Sequence, residues 1–107
     1  MTTATFHKDT LENVGRNAET LLGYSSKYFH ITRRKGGWWA VFHKPSKLRV
    51  GNLDRKTLKD TKAVVSAVET KFDWSGETIF EIAENNNLEP SDFVCAVIDA
   101  ANEISFQ

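Results

Sequence analysis

The stretch that decides the fold runs from Tyr28 to Val50, with the sequence YFHITRRKGGWWAVFHKPSKLRV. It is rich in aromatic and β-branched residues and is interrupted by Gly36-Gly37 and by Pro45, a pattern typical of short strands separated by turns. A glycine pair tolerates the positive φ angles of a two-residue loop, so it predicts a β-hairpin. A short third strand, Lys47–Val50, completes the small three-stranded antiparallel sheet that we expect.

The glycine pair also predicts the register of this hairpin, with Arg34 opposite Trp39 and His30 opposite His43. Because side chains alternate along a strand, this register divides them between two faces. The expected core face consists of Phe29, Ile31, Trp38, Ala40 and Phe42. The other face is expected to be aromatic and basic, with Tyr28, His30, Thr32, Arg34, Trp39, Val41 and His43.

An N-terminal helix is predicted before the sheet. Apolar residues recur at helical spacing within residues 10–22, and Leu11, Val14 and Leu21 fall on one helical face. Asp9 stands directly before this segment, where its carboxylate can cap the first turn. The pattern therefore indicates one amphipathic helix ahead of the first strand.

Three more helices are predicted after the sheet, at about residues 55–72, 77–86 and 91–104. The chain is then one α+β domain in which these three helices pack on one face of the sheet. The predicted organisation of the single domain, 1–107, is a helix in 1–26, a basic β-sheet in 27–53, a helix in 54–72 and an acidic helical hairpin in 73–107.

Charge is distributed very unevenly along the chain. The totals of 14 basic and 14 acidic residues give a net charge of zero. However, residues 27–62 contain eleven basic residues and two acidic ones, whereas residues 69–107 contain nine acidic residues and one lysine. Such asymmetry bears on the choice of partners more than on the fold.

The basic hairpin is the strongest candidate for a binding site. Nucleic-acid binding needs cations that neutralise phosphates and flat side chains that stack on bases. Three other interpretations stay open: a protein partner, a solvated sheet edge, and docking against the chain's own acidic helices. The residues predicted to contact nucleic acid or a partner are Tyr28, His30, Arg33, Arg34, Lys35, Trp39, His43, Lys44, Lys47 and Arg49.

A family resemblance supports the DNA hypothesis. Three segments carry it: Ile31-Thr32-Arg33-Arg34, Gly36-Gly37-Trp38-Trp39-Ala40-Val41-Phe42-His43 and Val50-Gly51-Asn52-Leu53-Asp54. Over about 28–68 the sequence resembles the AP2 domain and the arm-binding domains of phage-type integrases. These domains lay a three-stranded sheet in the DNA major groove. The resemblance implies that Trp39, Val41 and His43 face DNA, although the last two stand where the family has charged residues.

The acidic C-terminal third suggests the alternative function. A small phage or mobile-element inhibitor or adaptor could dock on a larger protein or nucleoprotein complex, either with the basic hairpin against an acidic groove or with the acidic helices against a basic one. The charge separation also favours self-association. The residues predicted to form this protein-binding surface are Glu81, Glu84, Glu89, Asp92, Asp99 and Glu103.

Catalysis, metals and membranes find little support in the sequence. The chain lacks a phosphate-binding glycine loop and the common hydrolase and protease motifs, so no enzyme activity and no cofactor are predicted. His30 and His43 alone are too few ligands for a zinc site, and none is predicted. The lone Cys95 is expected to be a buried thiol in a reducing compartment. We expect no membrane contact and a cytoplasmic location, in the cell of origin or a host.

Overall fold

The computed structural model describes residues 5–104, which form a five-stranded antiparallel sheet followed by three helices. Strand order in the sheet follows chain order. The strands are β1 (His7–Val14), β2 (Glu19–Ser25), β3 (Phe29–Arg33), β4 (Trp39–His43) and β5 (Leu48–Arg49). A 3-10 turn at Gly51–Leu53 leads to the helices α1 (Leu58–Lys71), α2 (Ile79–Asn85) and α3 (Pro90–Asn102). The chain is α+β, but the predicted N-terminal helix and three-stranded sheet are wrong.

The N-terminal segment is a hairpin because a β-bulge mimics helical spacing. β1 and β2 pair with Leu11 opposite Leu21 and Val14 opposite Glu19, and the register shifts between Leu11 and Val14. Asn13 adopts a positive φ of 59° within this bulge. An extra residue in one strand re-aims the side chains that follow it, so Leu11 and Val14 are both buried although they are three residues apart. Spacing of three residues is also that of a helix face.

The turn between β3 and β4 is one residue longer than the sequence predicts. Arg33 pairs with Trp39, and the amide of Arg34 donates to the carbonyl oxygen of Trp38 at 2.8 Å, which leaves residues 35–37 as the loop. A one-residue change in register moves every side chain of a strand to the other face relative to its partner. The predicted pairing of His30 with His43 is therefore wrong, since His43 lies opposite Phe29 instead.

The sheet buries apolar side chains on both of its faces. We call the larger cluster, on the face covered by the helices, the helix-side core. Its principal members are Phe29, Ile31, Val41, Leu53, Val64, Val65, Val68, Trp74, Ile82, Phe93 and Val97. The smaller cluster lies on the opposite face and is called the hairpin-side core; its members are Leu11, Val14, Leu21, Ala40 and Phe42. Residues of β1 and β2 contact residues of β4 in this cluster although β3 lies between them in the strand order, which indicates that the sheet is curved.

One glycine marks the place where β2 approaches β3 most closely. A Cβ atom at Gly23 would lie 1.9 Å from the carbonyl oxygen of Ile31, which no side chain can occupy. Gly23 pairs with Thr32 in the ladder between these strands. The absence of a side chain there lets the sheet bend and close over the hairpin-side core.

The three helices lie where the sequence predicts them and begin at recognisable caps. The hydroxyl of Thr57 accepts from the amide of Asp60 at the start of α1, and Thr78 caps α2 in the same way. α3 begins with Pro90, whose missing N–H costs nothing at a first helical position. The prediction of a buried Cys95 is wrong, because this thiol is exposed on α3. Across residues 5–104, every helix is too short or too polar to cross a membrane.

Candidate nucleic-acid interface

The two histidines predicted to contact a partner are buried on opposite faces of the sheet. His30 is fully buried beneath the hairpin-side core, where its Nδ1 lies 2.7 Å from the hydroxyl of Ser25. Its Nε2 is buried without a hydrogen-bond partner among the described residues. Burial lowers the pKa of His30, because the charged imidazolium would be removed from water. His30 is therefore a neutral core residue, unable to contact a ligand.

His43 ends β4 within the helix-side core. Its Nε2 donates to the carbonyl oxygen of Trp74 at 2.8 Å, and its Nδ1 accepts from the hydroxyl of Ser46 at 2.9 Å. Burial lowers the pKa of His43 as well. His43 also borders a groove of about 220 Å³ between β5 and α3, but both of its nitrogens are already occupied. This histidine fastens the sheet to the segment before α2.

The predicted aromatic contacts are half-buried. Trp39 packs against the helix-side core, and its ring lies 6.3 Å from that of Tyr24. Tyr28 also packs against this core, and its amide donates to the carboxylate of Glu69 at 3.0 Å. Only part of each ring therefore remains available to a partner.

Several of the predicted cations are held by groups of the protein itself. Arg34 pairs with Glu19 at 3.3 Å, and Arg49 pairs with Asp54. The Nζ atom of Lys44 donates to the carbonyl oxygen of Ser26 at 3.0 Å. Lys47 is half-buried and adopts a positive φ of 59° in the turn before β5. The carboxylates in these two pairs come from β2 and from the segment before α1, not from the acidic C-terminal helices.

Two predicted cations remain exposed beside a tryptophan that the sequence assigned to the core. Arg33 ends β3 and Lys35 lies in the β3–β4 loop, and Trp38, which follows this loop, is 44% exposed. The Nζ atom of Lys56 lies 5.6 Å from the centre of the Trp38 ring. A backbone bridge between Trp39 and Arg55 holds the start of the helical region against this turn. We call Arg33, Lys35, Trp38 and Lys56 the basic-aromatic surface.

A groove of about 550 Å³ adjoins the basic-aromatic surface. Its walls include Arg33 and the half-buried rings of Tyr24 and Trp39. The Nζ atom of Lys62, on α1, lies 4.6 Å from the centre of the Tyr24 ring. Cations therefore lie over aromatic rings at more than one place on this side of the molecule. Such an arrangement suits a single-stranded nucleic acid, whose phosphates attract cations and whose bases stack on aromatic rings.

All six carboxylates of the predicted acidic surface are exposed. Three of them, Glu84, Glu89 and Asp92, line a groove of about 530 Å³ at the corner between α2 and α3. Phe80, which is 70% exposed, and Leu88 lie in the same groove. We call these five residues the acidic-apolar surface. Of the others, Glu81 belongs to the first turn of α2, Asp99 lies on α3, and Glu103 is 3.9 Å from Lys71.

Trp38 was assigned to the core because of the predicted hairpin register, whereas only a tertiary contact brings Lys56 to the turn. With a two-residue loop, Trp38 falls on the core face and Trp39 on the open face, whereas the three-residue loop reverses their environments. The pair Trp38-Trp39 was the available signal, since alternation requires that one indole be more exposed than its neighbour.

Comparisons with protein-family models, with curated proteins and with solved structures found no match to this chain. The resemblance to AP2 and integrase arm-binding domains therefore has no independent support. The residues that it offers to DNA lie on the face that the helices cover, where Val41 and His43 are buried and Trp39 is half-buried. Val41 and His43 are therefore not accessible to DNA, and Trp39 offers only part of its ring.

Proposed function

We propose that this protein is a non-enzymatic nucleic-acid-binding module that uses the basic-aromatic surface. The observation that carries the proposal is the exposed indole of Trp38, which has the ammonium of Lys56 over its ring and lies beside the β3–β4 loop, where Arg33 and Lys35 are also exposed. An exposed indole can stack on an unpaired base, and the surrounding cations can neutralise the adjoining phosphates. Single-stranded segments fit this arrangement best, because their bases are free to stack.

Electrostatics support the same surface. None of Arg33, Lys35 and Lys56 has a carboxylate oxygen within 4.0 Å among residues 5–104, and the nearby carboxylate of Glu19 is paired with Arg34. Lys62 and the adjoining groove extend the positive potential toward α1. A protein of this kind would work in the cytoplasm, where single-stranded DNA and RNA are both accessible.

The test is a titration of fluorescent single-stranded DNA, single-stranded RNA and duplex DNA across a salt series. We expect affinity to fall steeply with salt, and Trp38→Ala to weaken binding by about tenfold at constant salt, since one stacked base contributes roughly 1–3 kcal/mol. Lys56→Glu should also reduce the salt slope by about one phosphate contact.

The matched control is Lys71→Glu, which makes the same charge change at the last residue of α1, whereas Lys56 precedes the first turn of this helix. It should leave the affinity within about twofold of wild type at moderate salt, because screening weakens charges that lie beyond about 10 Å. Absence of binding at low salt, or an equal loss in Lys71→Glu and Lys56→Glu, would reject the proposed interface.

A second candidate function is that of a small adaptor or inhibitor that binds a larger protein. The specific observation in its favour is the exposure of Phe80 and Leu88 among carboxylates, because large apolar side chains exposed together mark interaction sites. Phe80→Ala separates the two functions. It should leave oligonucleotide binding unchanged while it removes the apolar anchor of the acidic-apolar surface.

A further inference from the structure

The two surfaces described above are complementary in charge and alike in their apolar content. The basic-aromatic surface surrounds the exposed Trp38 with cations, and the acidic-apolar surface surrounds the exposed Phe80 and Leu88 with carboxylates. Interfaces commonly combine an apolar centre with a charged rim of matching sign.

The fold keeps these two surfaces apart within one molecule. Trp38 precedes the first residue of β4, whereas His43 at the other end of β4 bonds to Trp74 in the segment before α2. Asn86, at the end of α2, donates to the carbonyl oxygen of Asp73 at 2.7 Å, so the α2–α3 corner is fastened to that far end. Among residues 5–104, no ion pair joins a residue of one surface to a residue of the other.

We infer that the acidic-apolar surface receives the basic-aromatic surface of a second copy of this chain, in a head-to-tail contact. The inference commits to a second copy because the complementary surface, with both its cations and its exposed indole, is present in the chain itself. It does not depend on nucleic-acid binding, but it uses the same cations, so a bound strand and a second copy compete for them.

A contact between two different surfaces leaves one free surface at each end of the assembly. Head-to-tail association is therefore open, and the mean size of the assemblies should grow with protein concentration. Much of the attraction is electrostatic between exposed groups, so the dissociation constant should rise at least about tenfold between about 20 mM and about 500 mM NaCl.

The decisive experiment mixes two variants, each of which lacks one of the surfaces. Phe80→Ser/Glu84→Lys removes the acidic-apolar surface, and Trp38→Ser/Lys56→Glu removes the basic-aromatic surface. Phe80, Glu84, Trp38 and Lys56 are all exposed. Substitutions at exposed positions seldom change stability much, so we expect both double variants to fold. Each variant alone should be monomeric by sedimentation velocity at low salt. Their mixture should form a 1:1 complex that stops at the dimer, because each member has only one working surface.

The matched control is Asp99→Lys, which reverses an exposed carboxylate on α3 outside the groove. It should associate like wild type, to within about threefold in dissociation constant. A wild-type protein that stays monomeric at low salt up to about 1 mM would overturn the inference. So would self-association that survives in either double variant alone, because a two-fold interface would then be responsible.

Nucleic acid provides a further arm that separates this inference from the proposed function. A short single strand should dissociate the assemblies, and Phe80→Ser/Glu84→Lys should keep the strand affinity of wild type. Association that is intact in a protein unable to bind any strand rejects the proposed function alone. Strand binding by a protein that never associates rejects the head-to-tail contact alone.

Discussion

The two faces of the sheet are covered in different ways. On one face three helices bury the helix-side core, which contains large side chains such as Trp74 and Phe93. On the other face the sheet covers itself, because β1 and β2 close over Ala40 and Phe42. The first face is stabilised mainly by the apolar area that it removes from water. The second face buries less apolar volume, so its stability depends more on the backbone conformation at a few positions.

The two buried histidines, one on each face, differ in how many of their ring nitrogens are hydrogen-bonded. His43 on the helix side has hydrogen bonds at both ring nitrogens, whereas His30 on the hairpin side has one at Nδ1 only. A buried polar atom without a partner costs free energy that packing has to offset. The two faces therefore differ in how they accommodate a buried imidazole, and single substitutions compare the two faces further, in order of expected effect.

The largest expected effect is on the helix side. Phe93→Ala should lower the free energy of unfolding by about 4 kcal/mol, because it leaves a cavity among the rings of Phe72 and Trp74. Chemical denaturation measures the loss. The control is Phe80→Ala, which removes an exposed ring and should change stability by less than about 0.5 kcal/mol. Equal effects would mean that the helix-side core is not the main source of stability.

Gly23→Ala tests the backbone dependence of the hairpin side. The added methyl group would meet the carbonyl oxygen of Ile31 at 1.9 Å, so β2 has to move away from β3, at a cost of about 3 kcal/mol. Gly51→Ala is the control, since a Cβ atom there meets nothing within 4 Å. If the two variants unfold at the same denaturant concentration, the close approach at Gly23 does not exist in solution.

Leu21→Ala and Leu22→Ala compare neighbouring leucines of β2. Leu21 belongs to the hairpin-side core and its loss should cost about 2 kcal/mol, near the lower end for a buried leucine, because this core is small. Leu22 is 70% exposed, and its substitution should cost less than about 0.5 kcal/mol. A reversed order would contradict the register in which Leu11 lies opposite Leu21.

Acidification should destabilise the protein through its buried histidines. The pKa of each is lowered in the folded state below the ordinary value of about 6.5, so the unfolded chain binds more protons as pH falls below that value. Their contribution to stability is complete above about pH 6.5 and is lost as pH falls toward the folded pKa, by at most about 1.4 kcal/mol per pH unit for each histidine.

Single substitutions assign this acid sensitivity to one face. Denaturation at several pH values should give a shallower slope for His30→Leu and for His43→Leu than for wild type, because each variant removes one histidine that takes up a proton on unfolding. The variant with the larger reduction identifies the face that carries more of the acid sensitivity. A slope that is unchanged in both variants would contradict the assignment of acid sensitivity to these histidines.

The smallest expected effect is a gain. Ala18 adopts a positive φ of 48° in the turn between β1 and β2, a conformation that costs an alanine about 1 kcal/mol relative to glycine. Ala18→Gly should therefore stabilise the protein by about that amount in thermal or chemical denaturation. Ala63→Gly, at an exposed position within α1, should instead destabilise it by about 1 kcal/mol. If both variants are destabilised, the turn conformation is wrong.

The C-terminal helices could be predicted from the sequence because their signals are local. In α1, Val64, Val65 and Val68 repeat at helical spacing, and all three are buried. The N-terminal hairpin could not be predicted in this way, since its bulge places Leu11 and Val14 at a spacing that a helix would also use. Apolar periodicity cannot distinguish a helix from a strand that contains an extra residue.

Part of the binding surface predicted from the sequence is exposed. Arg33 and Lys35 are exposed as a binding surface requires, because charged residues at a turn seldom find burial. The aromatic member was assigned incorrectly, since Trp38 and Trp39 exchange environments when the loop gains one residue. The cation above Trp38 comes from Lys56, and only the tertiary bridge between Trp39 and Arg55 brings that residue to the turn. Such a contact leaves no pattern in the sequence.

The order of the strands has a consequence for how the chain folds. Each strand pairs with the strand that precedes or follows it along the chain, so every pairing closes only a short loop. We expect the sheet to assemble hairpin by hairpin, with folding complete within roughly milliseconds to a second, as for other mixed domains whose contacts are largely local. A nascent chain can thus pair its first two strands before the helices have been synthesised.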